Sequence, residues 1–158
     1  MREARQEVSR QRARLDATFE RISAIDEDAL EIRADFAKYL CVRVSGFLET
    51  SVATLLKGYA AAQSSPPVAR YVAAELERFQ NAKKDKLITL FGRFDDGWRE
   101  NLETFLADQR GDAIGTIVAN RHKIAHGENS DLSFVRVSEH WTTIKEVVAH
   151  LTDLLDPP

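Results

Sequence analysis

Cysteine occurs once in the 158 residues, at Cys41, so no intrachain disulfide can form and a zinc site built on several cysteines is excluded. A reducing cytoplasm is the expected compartment. Proline is nearly absent as well: Pro66-Pro67 and Pro157-Pro158 are the only ones, and residues 26–65 contain none. No stretch reaches the ~18 unbroken apolar residues of a membrane-spanning helix, and no apolar run follows the basic N-terminus as a secretory signal would require. No membrane partner is expected. A large positive excess is missing too, since the net charge is −3, which argues against a general nucleic-acid coat protein.

The residues present, 44% apolar and 30% charged, describe an ordinary soluble globular chain. One domain over residues 1–158 is the natural expectation, and a chain this long buries roughly two-thirds of its unfolded surface. The charges are unevenly spread. Residues 1–14 carry five arginines against two glutamates, whereas from Glu128 onward six acidic residues stand against Arg136 and Lys145. Mixed runs of this kind ordinarily form solvated helix faces.

Helical periodicity runs through the whole chain. Val8, Leu15, Phe19, Ile22 and Ile25 form one stripe of a first helix. Asp26-Glu27-Asp28 suits a helix N-terminus, and the apolar pattern from Leu30 to Tyr59 predicts a helix over 27–62, about 54 Å long. A bend near Ser45-Gly46 would shorten it. Ser64-Ser65-Pro66-Pro67 breaks the pattern and starts a short amphipathic helix with Val68, Tyr71, Val72, Leu76 and Phe79. Leu87 to Phe94 form a further apolar cluster ending near Asp95-Asp96-Gly97, and Trp98, Leu102, Phe105 and Leu106 follow at helical spacing. Another helix is expected from Asp112, with Ile114, Ile117, Val118, Ile124 and Ala125 on its apolar side and Gly127 as terminator. Leu132 to Val137 could be extended, and a last helix uses Trp141, Ile144, Val148, Leu151 and Leu155 before Pro157-Pro158. The fold class is all-α: a bundle of about six to seven helices, the long ones antiparallel.

Chemistry concentrates in Asn120-Arg121-His122-Lys123-Ile124-Ala125-His126-Gly127. Arg121 stays charged and offers a planar fork suited to phosphate oxygens, while His126 can trade protons near neutral pH. Those are the two tasks of cleaving RNA without metal, in which the 2′-hydroxyl attacks the neighbouring phosphate. On a regular helix, residues five apart point ~140° away from each other, so one rigid helix does not aim both at one phosphate. Three arrangements could solve this: a helix loosened at Gly127, a long arginine wrapping round, or two copies of the helix facing each other across a two-fold axis. His122 and His126, at i and i+4, have a spacing that can bind zinc, but no glutamate follows His122 as the helical zinc-protease pattern requires. A helix end with a basic exposed face accounts for the same residues without chemistry.

The segment Arg121 to Gly127 resembles the signature of HEPN domains: an arginine, a polar residue directly after it, and a histidine a few positions on. The stretch Tyr39-Leu40-Cys41-Val42-Arg43-Val44-Ser45-Gly46-Phe47-Leu48-Glu49 resembles the second helix of the RiboL-PSP branch, and the likeness extends over roughly residues 10–155. The resemblance implies a metal-independent endoribonuclease, needing no cofactor, dimeric, with two motif helices lining one cleft. It also implies a toxin or phage-defence effector with a cognate antitoxin, or else a non-catalytic relative that binds nucleotide or a partner. By position, Arg121 and His126 would be catalytic and His122 the polar neighbour. Glu49 is a candidate for orienting Arg121 or His126 by a charge-assisted hydrogen bond, with an intra-bundle ion pair as the plainer role. Asn120 is placed in support, and Arg43 and Lys123 as weak RNA contacts. Trp98 and Trp141 are expected in the core or an interface, His140 and His150 are structural, and Lys83-Lys84-Asp85-Lys86 form solvated surface.

Overall fold

The structure, a computed structural model, describes residues 1–26 and 28–155. Seven helices follow one another: α1 (Arg2–Ser23), α2 (Leu30–Gln63), α3 (Pro66–Leu76), α4 (Lys84–Gly92), α5 (Asp96–Phe105), α6 (Gln109–Ala125) and α7 (Phe134–Leu154). No strand occurs among the described residues. The all-α bundle is therefore the fold that forms.

At 34 residues, or about 51 Å, α2 is the axis of the molecule. It is long and apolar enough to cross a membrane by length and composition, but most of its apolar side chains from Ala37 onward are taken up by the core. Leu40, Val44, Leu48, Val52, Leu55 and Leu56 are fully buried. Each such side chain contributes about 1.5–3 kcal/mol by leaving water. α1 lies antiparallel to α2, burying Val8, Leu15, Phe19 and Ile22, and Gly58 of α2 leaves room for Ala4 near the start of α1. α7 joins them through Trp141, which stacks on Phe19 at 5.7 Å and takes Phe47 edge-on at 5.0 Å. The indole Nε1 donates to Asp16 at 2.7 Å, and Lys145 Nζ donates to the same oxygen at 3.0 Å.

α6 packs where α2 is narrowest. Ala37, Cys41 and Ser45 repeat every four residues and are buried, so small side chains let the α6 backbone approach. The Cys41 thiol donates to the Ile117 carbonyl at 3.5 Å. α6 runs antiparallel to α2: its start, at Gly111, lies beside Lys84 next to the Glu49 level, and Cys41 meets its middle.

Several local expectations are corrected. α2 begins at Leu30 rather than at the acidic triplet; Asp26 instead accepts the Asp28 N–H at 3.1 Å, and Glu27 lies outside the described residues. α2 continues unbroken through Ser45 and Gly46. α6 starts at Gln109, because Asp108 caps it by accepting the Arg110 N–H at 2.9 Å. Phe134 to Val137 are the first turn of α7, not extended chain, since the Ser133 hydroxyl accepts the Arg136 N–H at 3.3 Å and caps that helix. Phe79 lies beyond the end of α3, and Val68 and Tyr71 on that helix stay exposed. Pro157 and Pro158 lie outside the described residues.

Trp141 is buried as expected, and half-buried Trp98 joins Tyr59, Phe91 and Phe94 in an aromatic cluster. His150 stacks on Phe105 at 3.7 Å, with its Nε2 2.6 Å from Asn101 Oδ1.

Burial pushes the Cys41 thiol up to about 12, so it packs as a small neutral apolar group. Ellman's reagent should react with it only as fast as the protein unfolds, and Cys41→Leu should destabilise the fold by about 1–3 kcal/mol through overpacking against α6. His140 and His150 are both held below the ordinary 6.5, mainly by burial, with Arg136 and Arg110 respectively opposing protonation. A lowered folded value means that the unfolded chain binds more protons, so stability is complete above 6.5 and declines as pH falls below it. Melting temperatures taken between pH 8 and about 5 should fall on the acid side, and His140→Gln with His150→Gln should flatten that slope.

Candidate functional site

α6 carries the arginine and histidine, and its C-terminus is closed by a specific turn. The Glu128 N–H donates to the Lys123 carbonyl at 2.9 Å and the Gly127 N–H to Ile124 at 3.1 Å. Gly127 has φ +71°, the left-handed conformation this closure needs. His126 is the last residue before that turn, and its N–H is shared between the carbonyls of His122 and Lys123, each at 3.1 Å. The helix does not loosen before His126: it is regular through Ala125 and reverses only afterwards.

Two stripes divide α6. Ile114, Ile117, Arg121 and Ile124 share the inward side; the first two are fully buried, and Arg121 and Ile124 are half-buried where the helix leaves the core. Gly115, Ala119, His122 and His126 share an outward side, and all four are exposed. Ala125, expected on the apolar side, is also exposed. The ~140° separation expected of a regular helix therefore persists. The His122 and His126 rings come together, centroids 4.4 Å apart, but no hydrogen bond or ion pair joins Arg121 to His126 among the described residues. No group of three or more His, Cys, Asp or Glu side chains that could hold a metal occurs among the described residues.

The supporting residues scatter. Asn120 is an anchor: its Nδ2 donates to the Thr116 carbonyl at 2.9 Å, and its Oδ1 accepts the Ser130 hydroxyl at 2.8 Å, tying the loop after His126 back onto α6. Ser130 was not evident from sequence; a serine in a polar loop carries no signal until the loop's return path is known. Lys123 is exposed on the last turn of α6. Arg43 is exposed on the outer side of α2, where its Nη1 donates to the Tyr39 hydroxyl at 2.6 Å. Glu49 is not beside Arg121 or His126. Its carboxylate accepts the N–H of Asn81 at 2.7 Å, supporting a backbone with φ 55°. That contact lies near the Gly111 end of α6, about 15 Å along the helix from Arg121. It is neither the orienting bond nor the ion pair considered for it.

A cavity of about 890 Å³ opens elsewhere, between α3 and α4 over the C-terminal end of α2. Its sequence signal is α3 itself, an amphipathic helix whose apolar Val68 and Tyr71 remain 50% and 69% exposed.

The fold and the motif helix define an all-helical domain that ends its sixth helix in an arginine and a histidine on different sides. The chain belongs to the RiboL-PSP-HEPN family, whose model matches residues 9–156. No curated protein and no solved structure matches it.

Because only glycine takes φ +71° without strain, Gly127→Ala should lower stability by about 1–2 kcal/mol and loosen the turn that follows His126. Amide exchange over residues 123–130 should quicken in this variant. Asn120→Ala should produce the same change through loss of the Ser130 bond.

Proposed function

We propose that this protein is a metal-independent endoribonuclease acting as a homodimer. The observation that carries the reading is the exposed His126 at a fixed helix terminus, five residues on from half-buried Arg121, in a chain of the RiboL-PSP-HEPN family. The RNA 2′-hydroxyl attacks the adjacent phosphorus and the bond to the 5′-oxygen breaks, leaving a 2′,3′-cyclic phosphate and a 5′-hydroxyl. His126 moves the proton, from the attacking hydroxyl or to the leaving oxygen, and Arg121 neutralises charge on the non-bridging phosphate oxygens.

The ~140° between the two side chains on a helix that stays regular supports the dimeric reading. Two copies of α6 facing across a two-fold axis would bring both copies of His126 into one cleft, with the long Arg121 side chains reaching round to it. Gly115 and Ala119, exposed on the same stripe as His126, would let the helices approach closely. On the neighbouring α2, Ile32, Tyr39 and Val42 are 53%, 45% and 39% exposed along one stripe, apolar surface that a second subunit would cover. His122, in ring contact with His126, would hold the orientation of that ring in the shared cleft. Arg43 and Lys123 are proposed as flanking contacts to the RNA backbone.

In the cell this activity suits a cytoplasmic toxin or defence effector held in check by a cognate antitoxin protein. The other reading, a non-catalytic module binding nucleotide or a partner, is favoured by the net charge of −3.

Purified protein incubated with cellular RNA in excess chelator should cleave it and leave cyclic-phosphate ends. His126→Ala should reduce the rate by about 10²–10⁴-fold and Arg121→Ala comparably. Equal cleavage by wild type and His126→Ala, or cleavage only with added metal, would sink the assignment.

A further inference from the structure

The cavity between α3 and α4 is far from the motif. Tyr59, on its floor, is 18 residues beyond Cys41 along α2, or about 27 Å, in the direction away from Arg121. Its volume of about 890 Å³ falls in the range of small-ligand sites.

Two kinds of side chain line it that a structural gap would not need together. Tyr59, Tyr71, Phe79 and Phe94 supply aromatic rings. Tyr59 and Phe94 are braced from behind by Trp98, at 5.0 and 6.2 Å, so this wall is preformed. Tyr71 is 69% exposed and has no ring contact among the described residues. Arg78 and Arg93 also line the cavity, and neither forms an ion pair among the described residues. Glu75 and Asp85 add hydrogen-bond acceptors.

We propose that this groove binds a nucleoside phosphate, either as a free nucleotide or as part of a single-stranded RNA. The base stacks between rings, the phosphate meets Arg78 and Arg93, and the carboxylates accept hydrogen bonds from the amino group of the base. One ligand of this class uses every feature of the lining. An apolar helix laid in the groove would satisfy the rings but bury two guanidiniums and two carboxylates without partners, which is costly. The site does not depend on the ribonuclease reading, because its ligand is bound and not cleaved there.

The test measures equilibrium binding to the full-length protein of two probes: adenosine monophosphate, and a 2′-O-methylated oligoadenylate of about ten nucleotides, which cannot be cleaved. Tyr71→Ala and the pair Arg78→Gln with Arg93→Gln alter exposed side chains, so circular dichroism should be unchanged. Tyr71→Ala should weaken binding by about five- to hundredfold, and the arginine pair should also lower the salt dependence. His126→Ala should leave both effects in place, even if that variant retains full nuclease activity and the catalytic assignment fails. Loss of mononucleotide binding in the groove variants identifies a free nucleotide as occupant, and loss for the oligomer alone identifies an RNA strand. No binding of either probe, or binding that the groove variants leave unchanged, overturns the proposal and leaves the groove to a partner helix.

Discussion

Burial of α2 is the constraint on which the rest of the molecule depends. A helix of 34 residues with apolar side chains over more than half its circumference cannot be covered by one neighbour. α1, α6 and α7 each cover part of it, and the Phe19–Trp141–Phe47 cluster locks three of these four helices together. The small residues Ala37, Cys41 and Ser45 set where α6 can lie, because they leave room for a second backbone to come close. The orientation of the motif helix is thus a consequence of core packing rather than of any contact the motif makes.

That orientation separates the two residues of interest. Arg121 continues the inward stripe of α6 and emerges half-buried at its end, whereas His126 continues the outward stripe and is exposed beside His122. The terminal turn at Gly127 fixes His126 without redirecting it towards Arg121. A regular helix leaves the pair divided between two faces, so the proposed chemistry requires either a second copy of the helix or a long reach by the arginine.

The two ends of α2 have different characters. Around its first half the neighbours are the long helices α1, α6 and α7. Around its last turns stand the short α3 and α4, with a groove between them that their own side chains do not fill. Glu49 marks the transition, since its carboxylate holds the loop that leads from α3 into α4. A residue conspicuous in the sequence for its place after the second-helix segment thus shapes the far end of the molecule, away from the motif.

The sequence by itself determined the helical class, the span of the long helix to within a few residues, the inward stripe of α1 and the helix terminus at Gly127. These follow from periodicity, proline placement and the φ demand of one glycine, all local in the chain. It also determined the family through two short segments and their order. Other boundaries escaped it: Asp108 and Ser133 become helix caps only when a particular N–H is presented to them, and serines and aspartates occur in loops just as often. Tertiary structure decided that Glu49 serves Asn81 rather than Arg121, that Asn120 holds Ser130, and that the apolar face of α3 borders a groove instead of a core. Each of these is a meeting of residues distant in sequence or a failure to meet, and hydrophobic spacing tells which way a side chain faces without telling what stands opposite it.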